Sequence, residues 1–268
     1  MEEPVTPDIV KTRRDMQENA SKPPGQQQTR DMPKNAQWTQ ERIRTGIPGL
    51  DDIMGGGIPK NQLTLLTGTS GVGKTIFSMQ FIYTGVMQFN QNGVYLSFEE
   101  PAESIKENVK CFGWDVDRLE KSGRFSFIRY DPYHIEDVFN ILESTVREIK
   151  ATRVVIDSVS AIGLHVKDEM ELRRMIFNLS MILRKLGCNA MMVSEMVHGK
   201  TGISRYGVEE FVADSVVVLY YERLQSTFSR AIQIWKIRGS SHSEKLHPYK
   251  ISSDGVTVYP NEEAFIKM

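Results

Sequence analysis

The chain has 268 residues, of which 40% are hydrophobic and 25% charged, and a net charge of −1. That balance excludes a uniformly basic nucleic-acid binder and leaves only a local patch for such a role. Two cysteines, Cys111 and Cys188, are too few for a disulfide framework or for a zinc cluster of the usual spacing. No apolar run reaches the roughly 18 residues that span a bilayer, and the opening MEEPVTPDIV lacks the apolar core of a secretory signal. The expectation is a cytoplasmic protein that does not enter a membrane.

Residues 1–36 hold five of the chain's 11 prolines, a QQQ run and no aromatic residue. Their composition cannot bury enough apolar surface to offset the entropy of ordering, which predicts a flexible tail, with a partner-binding arm as the other reading. The folded domain is expected over residues 37–268. From there strand and helix alternate. Residues 63–67 (LTLLT) form an apolar strand. Residues 74–89 carry Phe77, Phe81, Ile82, Val86 and Phe89 at helical spacing. A strand at 94–98, a helix at 104–112 closed by Gly113, a strand at 125–129 and a helix at 135–149 follow. Residues 154–157 make a buried strand, and 170–186 a periodic helix ended by Gly187. After a strand at 190–194 the pattern changes to strands alone, at 215–221, 231–237 and 256–259. This order predicts an α/β fold: a mainly parallel twisted sheet with helices on both faces and an antiparallel C-terminal addition.

The chemistry falls at the strand ends. Gly68-Thr69-Ser70-Gly71-Val72-Gly73-Lys74-Thr75 fits the P-loop pattern G-x-x-x-x-G-K-[ST], between a predicted strand and a predicted helix. The glycines let backbone N–H groups wrap phosphates, the helix start favours their charge, and Lys74 reaches the β- and γ-phosphates of ATP. The Thr75 hydroxyl supplies a ligand for Mg²⁺. Val154-Val155-Ile156-Asp157, about 80 residues on, reads as the strand whose terminal Asp157 holds that Mg²⁺ through water. Glu99 and Glu100 end the strand at 94–98, on the ligand side of an open α/β sheet. One can act as general base toward the attacking water; equally, both suit the acidic start of the next helix. Lys236 and Arg238 alternate with Ile237 and so share a face, where they meet either an anion or solvent.

Taken together, these stretches resemble a single domain of the KaiC family of RecA-superfamily ATPases. The resemblance rests on RTGIPGLDDIMGGGIPK, GTSGVGKT, FEE followed by FGW, RVVIDSVSAI, SRYGVEEFVADSV and WKIRGSSH, in that order, over residues 43–259. It implies a RecA-like P-loop fold and a homo-oligomeric, hexameric ring with ATP between subunits. It further implies that Glu99 and Glu100 are a catalytic pair. Lys236, Arg238 and His242 would reach the phosphates of a neighbour's ATP, and Phe211 and Asp254 would lie near the base or at the same interface. Clock KaiC proteins carry two such domains, whereas this sequence has one P-loop. Glu210 and Phe211 stand where the second clock domain has its phosphorylated Ser-Thr pair. The resemblance is therefore to the first, ATPase-type domain, and points to a slow ATPase acting as a molecular switch rather than to an autokinase.

Two other classes share these motifs. A RecA- or RadA-like recombinase would bind DNA through the loops at 159–168 and 196–208. Those loops hold Lys167, His198, Lys200 and Arg205 against Asp168 and Glu169, a thin charge for a phosphate backbone. The other class is a signalling module in which ATP binding gates an unknown protein partner. His134, His165 and His247 lack metal-ligand spacing, and Ser194 and Glu195 either sense the γ-phosphate or make structural hydrogen bonds.

Overall fold

A computed structural model describes residues 40–129, 135–164, 166, 168–197, 202–224 and 227–264. The predicted tail at 1–36, along with His134, His165, Lys167, His198 and Lys200, lies outside the described residues. In chain order the first elements are β1 (Arg42–Ile43), α1 (Leu50–Ile53), β2 (Ile58–Pro59), β3 (Leu63–Gly68), α2 (Lys74–Phe89), β4 (Gly93–Ser97), α3 (Ala102–Lys110), α4 (Val116–Lys121) and β5 (Phe125–Arg129). They continue with α5 (Ile135–Glu148), β6 (Arg153–Asp157), α6 (Val159–Gly163), α7 (Glu169–Lys185), β7 (Asn189–Glu195), α8 (Glu209–Val212), β8 (Ser215–Leu224), β9 (Thr227–Ile237), β10 (Leu246–Ser252) and β11 (Gly255–Val258).

β1 and β2 pair with each other. Among the described residues the other strands form one sheet in the order β11-β10-β9-β8-β3-β7-β6-β4-β5. From β8 to β5 every pairing is parallel, and from β8 to β11 every pairing is antiparallel. The central strands read as continuous apolar runs because helices cover both of their faces. Their residues alternate between two cores: Leu66, Tyr95, Val155 and Val193 face the α2 side, while Leu65, Leu96, Val154, Ile156 and Met192 pack with residues of α5 and α7 on the other.

Local chemistry sets the helix ends. The side chain of Asp168 accepts a hydrogen bond from the Glu171 N–H at 2.7 Å and caps α7, which stops before Gly187, a residue with φ of 77°. At the rear of β6 the fully buried Arg153 donates to the carbonyls of Thr45 (3.0 Å), Phe81 (2.5 Å) and Arg44, and to the side-chain oxygen of Gln91 at 2.7 Å. Burial, partly offset by Asp51, brings its pKa down to about 10.

The predicted strands and long helices are present, with ends moved by a few residues. β8 and β9 are longer than expected, forming a hairpin that extends past the parallel sheet. β10 lies where no strand was expected: Pro248 and Lys250 interrupt its apolar pattern. The segment at 159–168, read as a loop, opens with α6, whose residues Val159, Ala161 and Ile162 are buried.

Candidate functional site

The parallel register brings the C-terminal ends of β3, β4, β6 and β7 together. Gly68 is level with Glu195, and Ser97 with Asp157. The chain leaves β3 through the glycine-rich loop and enters α2 at Lys74. Gly71 and Gly73, with φ of 81° and 95°, occupy left-handed backbone that residues with a Cβ rarely adopt. The Lys74 ammonium donates to the carbonyls of Gly68 and Thr69, each at 3.0 Å. Burial lowers its pKa, and the carboxylates of Glu195, Asp157 and Glu99 pull the other way. These three carboxylates are the charged neighbours of the Lys74 ammonium.

Asp157 ends β6, and its peptide bond to Ser158 is cis. Its Oδ2 accepts from the Tyr95 hydroxyl at 2.5 Å and from Thr75 Oγ1 at 3.3 Å. Burial raises the pKa of Asp157; the Tyr95 hydrogen bond opposes that, Glu99 adds to it, and Lys74 and Thr75 oppose it again. The glycine loop, the ammonium, the helix start and the oxygens of Thr75 and Asp157 fit a nucleoside triphosphate with Mg²⁺, a hard cation that takes oxygen ligands.

The two glutamates diverge. Glu99 turns toward β6, where its Oε1 accepts from Ser158 Oγ at 2.9 Å. Glu100 turns along α3: its Oε1 accepts from Ser104 Oγ at 2.6 Å and from the Asn108 amide at 3.0 Å, and its carbonyl accepts from Ser97 Oγ at 2.6 Å.

Lys236 and Arg238 lie at the far end of the sheet from this cluster. Ile237 is level with Ser215, which is level with Thr64 at the start of β3, four residues behind Gly68. Four residues span about 13 Å of strand. Lys236 donates to the Glu210 carbonyl at 2.5 Å. Arg238 donates to the Phe211 carbonyl at 2.7 Å and sits 3.7 Å from Asp214 Oδ1. Burial, then the neighbouring Arg238, lowers the pKa of Lys236, while Asp214 and Glu210 raise it. Phe211 is 58% exposed and lies under the Arg173 guanidinium. His242 shares this end, its Nδ1 3.0 Å from the Ser243 carbonyl. Asp254 is elsewhere, in the turn joining β10 to β11. That hairpin covers the P-loop: the Ile251 side chain fills the space a Cβ on Gly73 would take, and the Tyr249 hydroxyl donates to the Val72 carbonyl at 2.7 Å.

Several contributors were not singled out by sequence. Tyr95 and Ser158 hold Asp157 and Glu99. Glu195, left undecided, joins the Lys74 surround and pairs with Arg205 at 2.6 Å. Ser194 donates to Glu209, a fully buried carboxylate that also accepts from Ser204 Oγ at 2.8 Å and the Val208 N–H at 3.1 Å. Arg205, from the second loop of the recombinase reading, is thus engaged by Glu195. No cluster of metal-binding side chains of the His/Cys/Asp/Glu kind occurs among the described residues, and no helix there is long and apolar enough to cross a membrane.

A glycine-rich loop at the end of a central parallel strand, an Asp at the end of another and an antiparallel extension define a RecA-like P-loop NTPase fold. A family model for the KaiC ATPase matches residues 43–263. The chain is 38% identical to a UPF0273 protein of Thermotoga maritima, over 83% of this chain and 97% of that one. It is 34% identical to the circadian clock oscillator protein KaiC of Synechococcus elongatus, over 82% of this chain but 44% of the clock protein. A crystal structure of a KaiC-like protein from Pyrococcus horikoshii superposes with a TM-score of 0.76 at 35% identity, covering 82% of this chain and all of that one. The chain belongs to the KaiC-like ATPase family.

Proposed function

We propose that this protein binds Mg·ATP and hydrolyses it slowly as a hexameric ring, serving as a nucleotide-dependent switch, with each site completed by the next subunit. The observation that carries this reading is the split between two half-sites. Lys74, Thr75, Asp157 and Glu99 gather at one end of the sheet, and Lys236 and Arg238 project from the other. A cation pair about 13 Å behind its own P-loop cannot touch its own triphosphate; it suits a neighbour's.

In this reading the loop N–H groups and Lys74 bind the phosphates, and Thr75 and Asp157 hold Mg²⁺, which would neutralise charge on the β- and γ-oxygens. Lys74 must leave the Gly68 and Thr69 carbonyls for the phosphates. Glu99, oriented by Ser158, takes the proton of the attacking water. Glu100, engaged by Ser104 and Asn108, sets the start of α3 and thereby the position of Glu99. Arg238 and Lys236, with His242 beside them, meet the transferring phosphoryl group across the boundary, and Phe211 packs at that interface. Asp254, on the hairpin that covers the P-loop, faces the nucleotide from its own subunit. Turnover is slow because the interface must close before chemistry. Residues 37–268 suffice for this activity, and the cytoplasm is its setting.

The test is native mass and nucleotide affinity for wild type and Lys74→Ala. Wild type should shift from low mass to a hexamer on adding Mg·ATP, and Lys74→Ala should lose both ATP binding and the shift. A Lys74→Ala protein that binds ATP as tightly as wild type would remove the P-loop from the account.

A further inference from the structure

Tyr95 is a polar side chain in an otherwise apolar position. It sits in the middle of β4, between Val155 of β6 and Phe127 of β5, and none of it is exposed. A buried hydroxyl needs a partner, and this one has the Asp157 carboxylate. It donates to Asp157 Oδ2 at 2.5 Å and lies 3.3 Å from Ser78 Oγ. Ser78 in turn donates to the Thr75 carbonyl at 3.1 Å, and Thr75 Oγ1 meets the same Asp157 oxygen at 3.3 Å. Three hydrogen bonds and the Tyr95–Ser78 oxygen contact link the four residues and tie the first turn of α2 to β4 and β6. Thr75 and Ser78, three apart, face the sheet on one side of that helix.

We infer that Tyr95 is a positioning residue for the Mg²⁺ site: its hydroxyl fixes the plane of the Asp157 carboxylate against the first turn of α2. The inference rests on Thr75 and Asp157 holding the metal. Of the two hydrogen bonds to Oδ2, the one from Tyr95 is shorter by 0.8 Å, the difference between 3.3 and 2.5 Å. It also comes from a ring locked by packing, against Phe127 at 5.3 Å between centroids. Thr75 must offer its oxygen to the metal, so its bond to Asp157 alone cannot define the carboxylate. A rigid phenol on a neighbouring strand can, and it adds no negative charge to a site already crowded with carboxylates. Partners of this kind typically contribute about 10–100-fold to metal affinity. With Thr75 still present, the effect should fall near the lower figure.

The experiment measures binding of a fluorescent N-methylanthraniloyl ATP to the full chain, once in EDTA and once across a Mg²⁺ titration. Tyr95→Phe keeps the ring and removes only the oxygen, and Phe127→Leu disturbs the ring's packing while sparing the hydroxyl. Tyr95→Phe should bind the nucleotide in EDTA within about twofold of wild type but need about tenfold more Mg²⁺ to reach half its enhancement. Phe127→Leu, which loosens the ring but keeps the hydroxyl, should shift the Mg²⁺ midpoint less than Tyr95→Phe does. Equal midpoints for wild type and Tyr95→Phe, or an equal shift in Phe127→Leu, would leave Tyr95 a packing residue. Wild-type affinity indifferent to Mg²⁺ would instead overturn the metal site itself.

Discussion

Glu99 and Glu100 are adjacent in sequence, yet their carboxylates have different surroundings. Glu99 accepts from Ser158, beside Asp157, whereas Glu100 is held by Ser104 and Asn108 of α3. If Glu99 is the base, Glu99→Gln should lower the ATPase rate by about 10²–10⁴-fold with nucleotide affinity retained. Glu100→Gln still accepts hydrogen bonds through its amide oxygen, so its rate should fall less than tenfold, a bound taken from the modest net worth of a hydrogen bond. Steady-state rates with fluorescent-nucleotide binding decide this; a dead Glu100→Gln beside an active Glu99→Gln would exchange the two roles. The sequence could not separate the pair. Both residues follow one strand and precede one helix, and what distinguishes them is Ser158, 59 positions away. The P-loop was legible because its chemistry lies within eight consecutive residues. Tyr95 was not, because its partner is on another strand and a tyrosine in an apolar run reads as core.

Among the elements, α7 is bound to the sheet by Leu172, Ile176, Leu179 and Leu183 and begins at a side-chain cap from Asp168. Asp168→Ala should cost about 1 kcal/mol, read as a lower urea midpoint with an unchanged m-value. No change would mean that the α7 start is held by tertiary packing alone. The strands over which α7 packs were readable since burial on both faces makes them apolar throughout. β10 escaped notice: the alternating pattern of LHPYKIS carries Pro248 and Lys250, and only its neighbours β9 and β11 define it as a strand. The short α4 and α6 offer too few turns to show a period. The placement of Lys236 and Arg238 was half legible. Their shared face follows from alternation, but which end of the sheet they occupy depends on the antiparallel register of β9 against β8.

For the whole molecule, the family match spans residues 43–263, and every residue of the candidate site falls within it. The composition of residues 1–36 supplies no core, so their deletion should leave ATPase rate and ring mass unchanged. A large loss of either in sizing or turnover assays would show that this segment supports the ring.

The central claim is that each site joins Glu99 of one subunit to Arg238 of the next. Arg238→Ala and Glu99→Gln rings should each be nearly inactive. Nucleotide-free subunits of the two variants, mixed in equal amounts and then assembled with Mg·ATP, place both intact residues at about a quarter of the interfaces if mixing is random. The ATPase rate of the mixed rings should return to about that fraction of wild type, or below it where neighbouring sites are coupled. Mixed rings verified by native mass that recover no activity would contradict the account, leaving Arg238 to serve its own subunit or none.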